Sequence, residues 1–183
     1  MRKGLFFILF CVGLLSACNP DKNTKVDQTS IDFKTDDSSR LFFKNLRQSY
    51  YDLEKMEEAK LEIYRLKKRV VDTDQPVINL AIVNNWRYDE AYILLEPNSL
   101  IPNGNEISIH WINESGSEGE IRFEGGNKKD LLNFAGAIYE QIQAGSTFQI
   151  LLDGKKVDIL IDTKSREAFR VTMFDYYRLV RQF

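Results

Sequence analysis

The chain has 183 residues, 43% of them hydrophobic, with a formal net charge of −2 and a single histidine. That length suits one ordinary domain, which buries about two-thirds or more of its unfolded surface. A mildly acidic chain lacks the dominant basic field that nucleic-acid binding needs. One histidine excludes multi-histidine metal sites and leaves any Ser-His-Asp or Cys-His mechanism hanging on His110.

Arg2 and Lys3 precede an apolar run from Leu5 to Leu15, which as a helix would span about 16 Å at roughly 1.5 Å per residue. A bilayer core needs about 30 Å, so the run reads as the apolar region of a secretory leader and not as a membrane span. Small residues then lead into a cysteine. The segment Leu15-Ser16-Ala17-Cys18 resembles the lipobox of bacterial lipoproteins at all of its positions, and the resemblance covers only the first 18 residues. It implies diacylglyceryl transfer to the Cys18 sulfur, cleavage before Cys18 and acylation of the new amine, so that residues 1–17 form the leader. One acyl chain binds a membrane only marginally, whereas two or three on Cys18 would hold the protein there essentially permanently. Asn19 after the cysteine implies sorting to the outer membrane of a Gram-negative cell. Cys11 then departs with the leader and Cys18 is taken up by lipid. The remaining 166 residues carry no thiol and a net charge of about −4, which excludes disulfides, thiol redox chemistry and thiolate metal sites.

Asn19 to about Ser39 is polar, with Val26, Ile31 and Phe33 as its sizeable apolar residues and no period of two or 3.6. Residues 18–39 read as a flexible polar tether, reaching roughly 25 Å as a coil. Residues 40–183 read as a single folded domain. Phe42, Leu46, Tyr50 and Leu53 recur at the spacing of one helix face, with Ser38 or Ser39 as cap and an end before Glu57-Glu58. Leu61 to Leu66 reads as a strand, with helical continuation as the alternative. Val70 to Gln75 is a polar break closed by Pro76, and Val77 to Val83 is an apolar run expected to form a central strand buried on both faces.

Glu90 to Glu96 is a further strand, stopped by Pro97-Asn98, and Asn103-Gly104-Asn105 signals a turn. Ile107, Ile109 and Trp111 alternate on one strand and Ile121 and Phe123 on the next, joined as a hairpin through Asn113 to Ser117. After Gly125-Gly126-Asn127 the period changes: Leu131, Phe134, Ala135, Ile138 and Ile142 mark a helix face ending near Gly145. Phe148 to Leu152 and Val157 to Ile161 flank Asp153-Gly154, a strong hairpin signal, and a last helix runs from about Ser165 to Arg181. The expected fold is α+β, a mostly antiparallel sheet of about six or seven strands with about three helices packed on it.

No G-x-S-x-G elbow, P-loop or H-E-x-x-H is present, and nothing implies a cofactor or a metal. His110 projects opposite Ile109 and Trp111 and reads as a half-exposed strand histidine. A glycosidase needs only two carboxylates. Asp153, Asp158 and Asp162 gather at one hairpin, and Glu114, Glu118 and Glu120 at the other. Acids at turns and edges are usually solvated and discourage edge pairing. Asp36-Asp37 and Asp72 with Asp74 lack the spacing of a calcium loop.

Two stretches suit binding. Asn84 to Asp89 gathers Trp86, Arg87, Tyr88 and two amides, a set that can stack on sugars or peptides and hydrogen-bond to them; the plainer alternative is a turn whose Trp folds onto the core. On the last helix Phe169, Met173, Tyr176, Val180 and Phe183 form the core stripe. Arg166, Arg170 and Arg181 lie opposite with Phe174 and Tyr177, a composition typical of interface hot spots and also suited to anionic lipid or polysaccharide headgroups. The plainer alternative is a solvated basic face. The function expected from the sequence is a non-enzymatic, lipid-tethered envelope module that binds a protein or polysaccharide partner. The alternatives are a carboxylate-based hydrolase acting on envelope glycans, or a carrier marked by a cavity between helix and sheet.

Overall fold

Eight antiparallel strands form two four-stranded sheets in a computed structural model that describes residues 26, 27, 30–102 and 106–182. The lipobox with Cys18, the Asn103-Gly104-Asn105 turn and Phe183 lie outside the described residues. The first sheet is a meander of β1 (Tyr51–Met56), β2 (Leu61–Leu66), β3 (Ile78–Asn85) and β4 (Glu90–Pro97). The second contains β5 (Ile107–Ile112), β6 (Glu118–Phe123), β7 (Thr147–Leu152) and β8 (Lys155–Ile159), in the spatial order β6-β5-β7-β8. Helix α1 (Asp37–Phe42) precedes the first sheet, α2 (Lys128–Gln143) separates β6 from β7, and α3 (Thr163–Leu179) follows β8.

Helix α2 packs on β4 and β6 and so joins the two sheets, while α3 lies on β3 and β4 and against α2. A single apolar core therefore runs through both sheets, as a one-domain α+β fold requires. The apolar run of β3 is buried on both faces. Ile78, Leu80 and Ile82 join the core, and Ala81 and Val83 join Ile63 on the opposite side. On that side Arg65 of β2, in register with Ala81, reaches Glu54 on β1 and Glu96 on β4, both at 2.6 Å. Asp153 and Gly154 adopt φ of 48° and 75°, the left-handed pair that a two-residue hairpin turn demands.

The strand count exceeds the expected six or seven because β1 occupies residues that the four-residue apolar spacing assigns to a helix. Helix α1 stops at Phe42, a wide π turn runs over Phe43–Arg47 and a 3₁₀ turn over Gln48–Tyr50. Each change alters the residues per turn, so equal spacing no longer marks one face. Leu46 and Tyr50 are more than half exposed, whereas Phe43 and Tyr51 are each 3% exposed. The Phe43 ring packs 5.5 Å from Tyr51 and 5.0 Å from Tyr64. The cap of α1 is Asp36 and neither Ser38 nor Ser39: its carboxylate accepts the Ser39 N–H, and the Ser39 hydroxyl accepts the Asp36 N–H in return.

The packed chain also begins upstream of Arg40. Ile31 and Phe33 are buried in the core, and the Phe33 carbonyl accepts the Ala91 N–H at 2.9 Å. Residues 31–36 of the stretch expected to be a tether thus form a strap along the β4 edge. The last helix likewise begins at Thr163, capped by the Asp162 carboxylate.

Candidate functional site

Helix α3 does not present its arginines and aromatics as one exposed face. Tyr177 is 0% exposed, its ring 5.5 Å from Tyr139 of α2, so the expectation of an exposed Tyr177 is corrected. The reason is that α3 is covered on two sides, by the first sheet and by α2, and its buried stripe is wider than one helix face. Arg166 also turns inward. It donates to the carbonyls of Ser146 at 2.6 Å and Leu160 at 3.3 Å, with its guanidinium 5.5 Å from the Phe148 ring. Burial lowers its pKa.

Phe174 is half-buried and shares Arg178 with Phe42, the guanidinium lying 5.6 Å and 4.1 Å from the two rings. Arg170 is held by Glu167 one turn earlier at 2.6 Å. Arg181 is exposed at the far end, with Asp36 at 3.5 Å. These five residues therefore serve different neighbours.

Trp86 does not fold onto the core. It is 43% exposed at the β3–β4 turn, with Lys60 Nζ 4.7 Å from its ring, and Arg87 lies over Tyr88 at 5.5 Å. Trp86 separates two shallow hollows of about 320 and 490 Å³ that share Lys44. The first of these holds Glu57 and Glu62, and the second Asp37 and Asp89, so their charges are mixed.

The hairpin acids are occupied locally. Asp158 accepts from Gln149 at 2.8 Å, Asp162 caps α3, and Glu120 pairs with Arg122 and with the Ser108 hydroxyl. Glu118 stands 3.3 Å from His110, while Glu114 and Asp153 are exposed at turns. Among the described residues no group of three or more His, Cys, Asp or Glu side chains is placed to hold a metal ion, and no helix is long and apolar enough to cross a membrane.

A larger hollow lies elsewhere. A groove of about 620 Å³ runs between the Arg47–Tyr50 turn, the end of β2 and the first half of α3. Its volume falls in the range of small-molecule sites. Leu66 and Ala168, each 6% exposed, form its floor, and Val171 and Tyr50 its apolar walls. Arg47, Lys67, Lys68 and Lys164 stand around it with one acid, Glu167, which Arg170 already pairs.

The groove arises from local structure. The π and 3₁₀ turns swing Tyr50 outward. On α3, Lys164, Ala168 and Val171 follow one another at helical spacing, so they share a face separate from the core stripe. The sequence pattern hides this site because Tyr50 falls on the spacing of one helix face and Lys67-Lys68 belongs to no motif. The available signal was a run of cations directly after the apolar end of a strand.

Arg47 is the most constrained of the cations. Its Nε donates to both carboxylate oxygens of Asp175 at 2.8 and 3.0 Å, and the Asp175 side chain is 1% exposed. The Tyr51 hydroxyl donates to the same carboxylate at 2.6 Å. Burial, then the Asp175 charge, push the Tyr51 pKa well above its ordinary value. The guanidinium rests 4.8 Å from the Tyr50 ring. Lys67 donates to the Ser49 carbonyl at 2.9 Å, and Lys68 and Lys164 have no ion-pair partner among the described residues.

No family model, curated protein or solved structure matches the chain. The groove's own chemistry is therefore the guide to function.

Proposed function

We propose that this chain is a non-enzymatic binding module of the bacterial cell envelope, tethered to the outer membrane by lipid on Cys18. Its receiving site is the groove between α3 and the Arg47–Tyr50 turn. The observation that carries this reading is the groove itself: an apolar floor ringed by four cations on a chain whose net charge is negative. Apolar hollows with a few convergent polar groups are where small ligands and anchoring side chains bury most of their surface. The partners expected from the sequence, an envelope protein or a polysaccharide, would meet this groove or the Trp86 turn at the other end of β2. The glycan-hydrolase alternative draws no support from the hairpin acids, each of which is exposed at a turn or engaged with a neighbour.

The test is site-specific photocrosslinking of the full chain in native membranes, with the crosslinker at Lys164 and a Cys18→Ala chain as control. A discrete adduct at Lys164, reduced when the anchor is removed, is the expected result. An absence of any adduct from intact envelopes would overturn the reading. Metabolic incorporation of an acyl label that disappears in Cys18→Ala tests the anchor separately.

A further inference from the structure

We propose that the groove between α3 and the Arg47–Tyr50 turn binds a single long-chain fatty acid, its carboxylate on Arg47 within the field of the surrounding lysines and its acyl chain on Leu66, Ala168 and Val171. This rests on the binding-module reading above and names the ligand that the module takes.

Three observations converge on it. The first is the state of Arg47. Its Nε is committed to Asp175 and its plane is steadied by Tyr50, which leaves the two terminal amino groups without a partner among the described residues. A guanidinium held in this way offers a fixed planar fork, the shape that a carboxylate matches with two parallel hydrogen bonds.

The second is the charge around it. Asp175 offsets the Arg47 charge and Arg170 pairs Glu167, so the groove's surplus positive charge comes from Lys67, Lys68 and Lys164. Lys68 and Lys164 have no anionic partner of their own. A neutral ligand would leave that charge unused, and a cationic one would be repelled.

The third is the floor. Leu66, Ala168 and Val171 form an apolar surface in a groove of about 620 Å³, set along α3 between Lys164 and the turn of Arg47, which Asp175 holds one turn beyond Val171. Straight hydrocarbon gains from burial there in proportion to the area covered. One groove takes one chain, which favours a single-chain amphiphile over a diacyl lipid.

Calorimetric titration of the delipidated full chain tests this, with palmitate as probe and 1-hexadecanol, octanoate and a lysophosphatidylglycerol as comparisons. Palmitate is expected to bind saturably at one site. Replacing its carboxylate by the alcohol should weaken binding about tenfold or more, as should Lys68→Glu with Lys164→Glu, through the loss of charge-assisted contacts. Octanoate should bind far more weakly, because it covers less of the floor. Val171→Glu should remove palmitate binding while the lysine variants keep the unfolding midpoint of the parent.

The proposal is overturned if palmitate shows no saturable binding, if hexadecanol binds equally well, or if the lysine variants bind unchanged. Tighter binding of the lysophospholipid than of palmitate would also overturn it, in favour of a phosphate head. A photocrosslinked protein or polysaccharide at Lys164 together with absent palmitate binding would sink this inference and leave the binding module standing. Loss of both signals would sink both.

Discussion

Asp175 of α3 and Arg47 of the π turn meet across 128 positions of sequence, with the arginine Nε 2.8 and 3.0 Å from the two carboxylate oxygens. The carboxylate is 1% exposed, so this contact fixes the turn to the helix and shapes the groove wall between them. Removing the carboxylate leaves the partly exposed Arg47 and the buried Tyr51 hydroxyl without their acceptor, which typically costs about 1–3 kcal/mol. Asp175→Ala is therefore expected to lose about that much in urea unfolding. Asp175→Leu combined with Arg47→Met should recover most of the loss, since apolar replacement of a buried pair is often neutral. A loss below about 1 kcal/mol for Asp175→Ala would contradict the assignment.

Along α3, residues of similar appearance should behave very differently. Arg166→Ala gives up charged hydrogen bonds to two backbone carbonyls and should cost about 1.5–3 kcal/mol. Tyr177→Ala empties a fully buried site at about 3–5 kcal/mol. Arg181→Ala, at an exposed end, should stay within about 0.5 kcal/mol. Equal effects at all three positions in chemical denaturation would mean that α3 is not seated as described.

Gly119 of β6 lies opposite Trp111 of β5, and a Cβ there would stand 2.8 Å from the indole ring. Gly119→Ala should therefore displace the ring and cost about 1–3 kcal/mol through overpacking. Followed in a Trp86→Phe background, the emission of Trp111 should shift toward that of exposed indole. An unchanged spectrum and midpoint would show that the strand pair can absorb the methyl group.

The strap at residues 31–36 should respond to acid. Glu90 receives Lys128 at 2.6 Å and Lys34 at 3.1 Å, and first Lys128, then Lys34, hold its pKa below the ordinary value of 4.5 despite the opposing effect of burial. A carboxyl group depressed in the folded state contributes stability above its unfolded pKa and loses it as pH falls through the folded value. Hydrogen exchange at the Ala91 and Thr35 amides, corrected for intrinsic rates, should therefore quicken below about pH 4.5 while β5 and β7 stay protected. Glu90→Gln should abolish that pH dependence and cost within about 1 kcal/mol. Simultaneous loss of protection in strap and sheet would disprove local release.

Much of this architecture is legible in the residues. The β3 run, the two hairpins of the second sheet, and helices α2 and α3 follow from apolar runs, periodicity and turn chemistry, because their apolar positions keep an unbroken pattern and their turns fall at residues suited to bending. The stretch from Asp37 to Met56 was not legible. Three helical geometries succeed one another there, and β1 is an edge strand with only Tyr51 fully buried, so neither a period of 3.6 nor of two survives. For Trp86 the sequence left open both a stacking surface and a ring folded onto the core, because what a turn residue packs on is set by the tertiary fold. Tyr177 was misplaced because a helical wheel shows angles but not how many neighbours surround the helix. The groove was hidden for a related reason: its walls come from Arg47, Lys67 and Lys164, which only the tertiary fold brings together.

The strap has a mechanical consequence. A pull on the chain before residue 26 enters the folded part beside β4, where a single bridge, Lys34 to Glu90, joins the strap to the strand. Such a bridge is peeled one bond at a time, whereas the ladder from Ile78 to Asn85 on the far side of β4 would have to be sheared all at once. The strap should therefore yield first. Residues 26–36 would then add roughly 35 Å of extended chain while both sheets stay folded. The strap would work as a load-limiting clip, lengthening the chain ahead of the sheets under tension and resetting when Phe33 finds its pocket again.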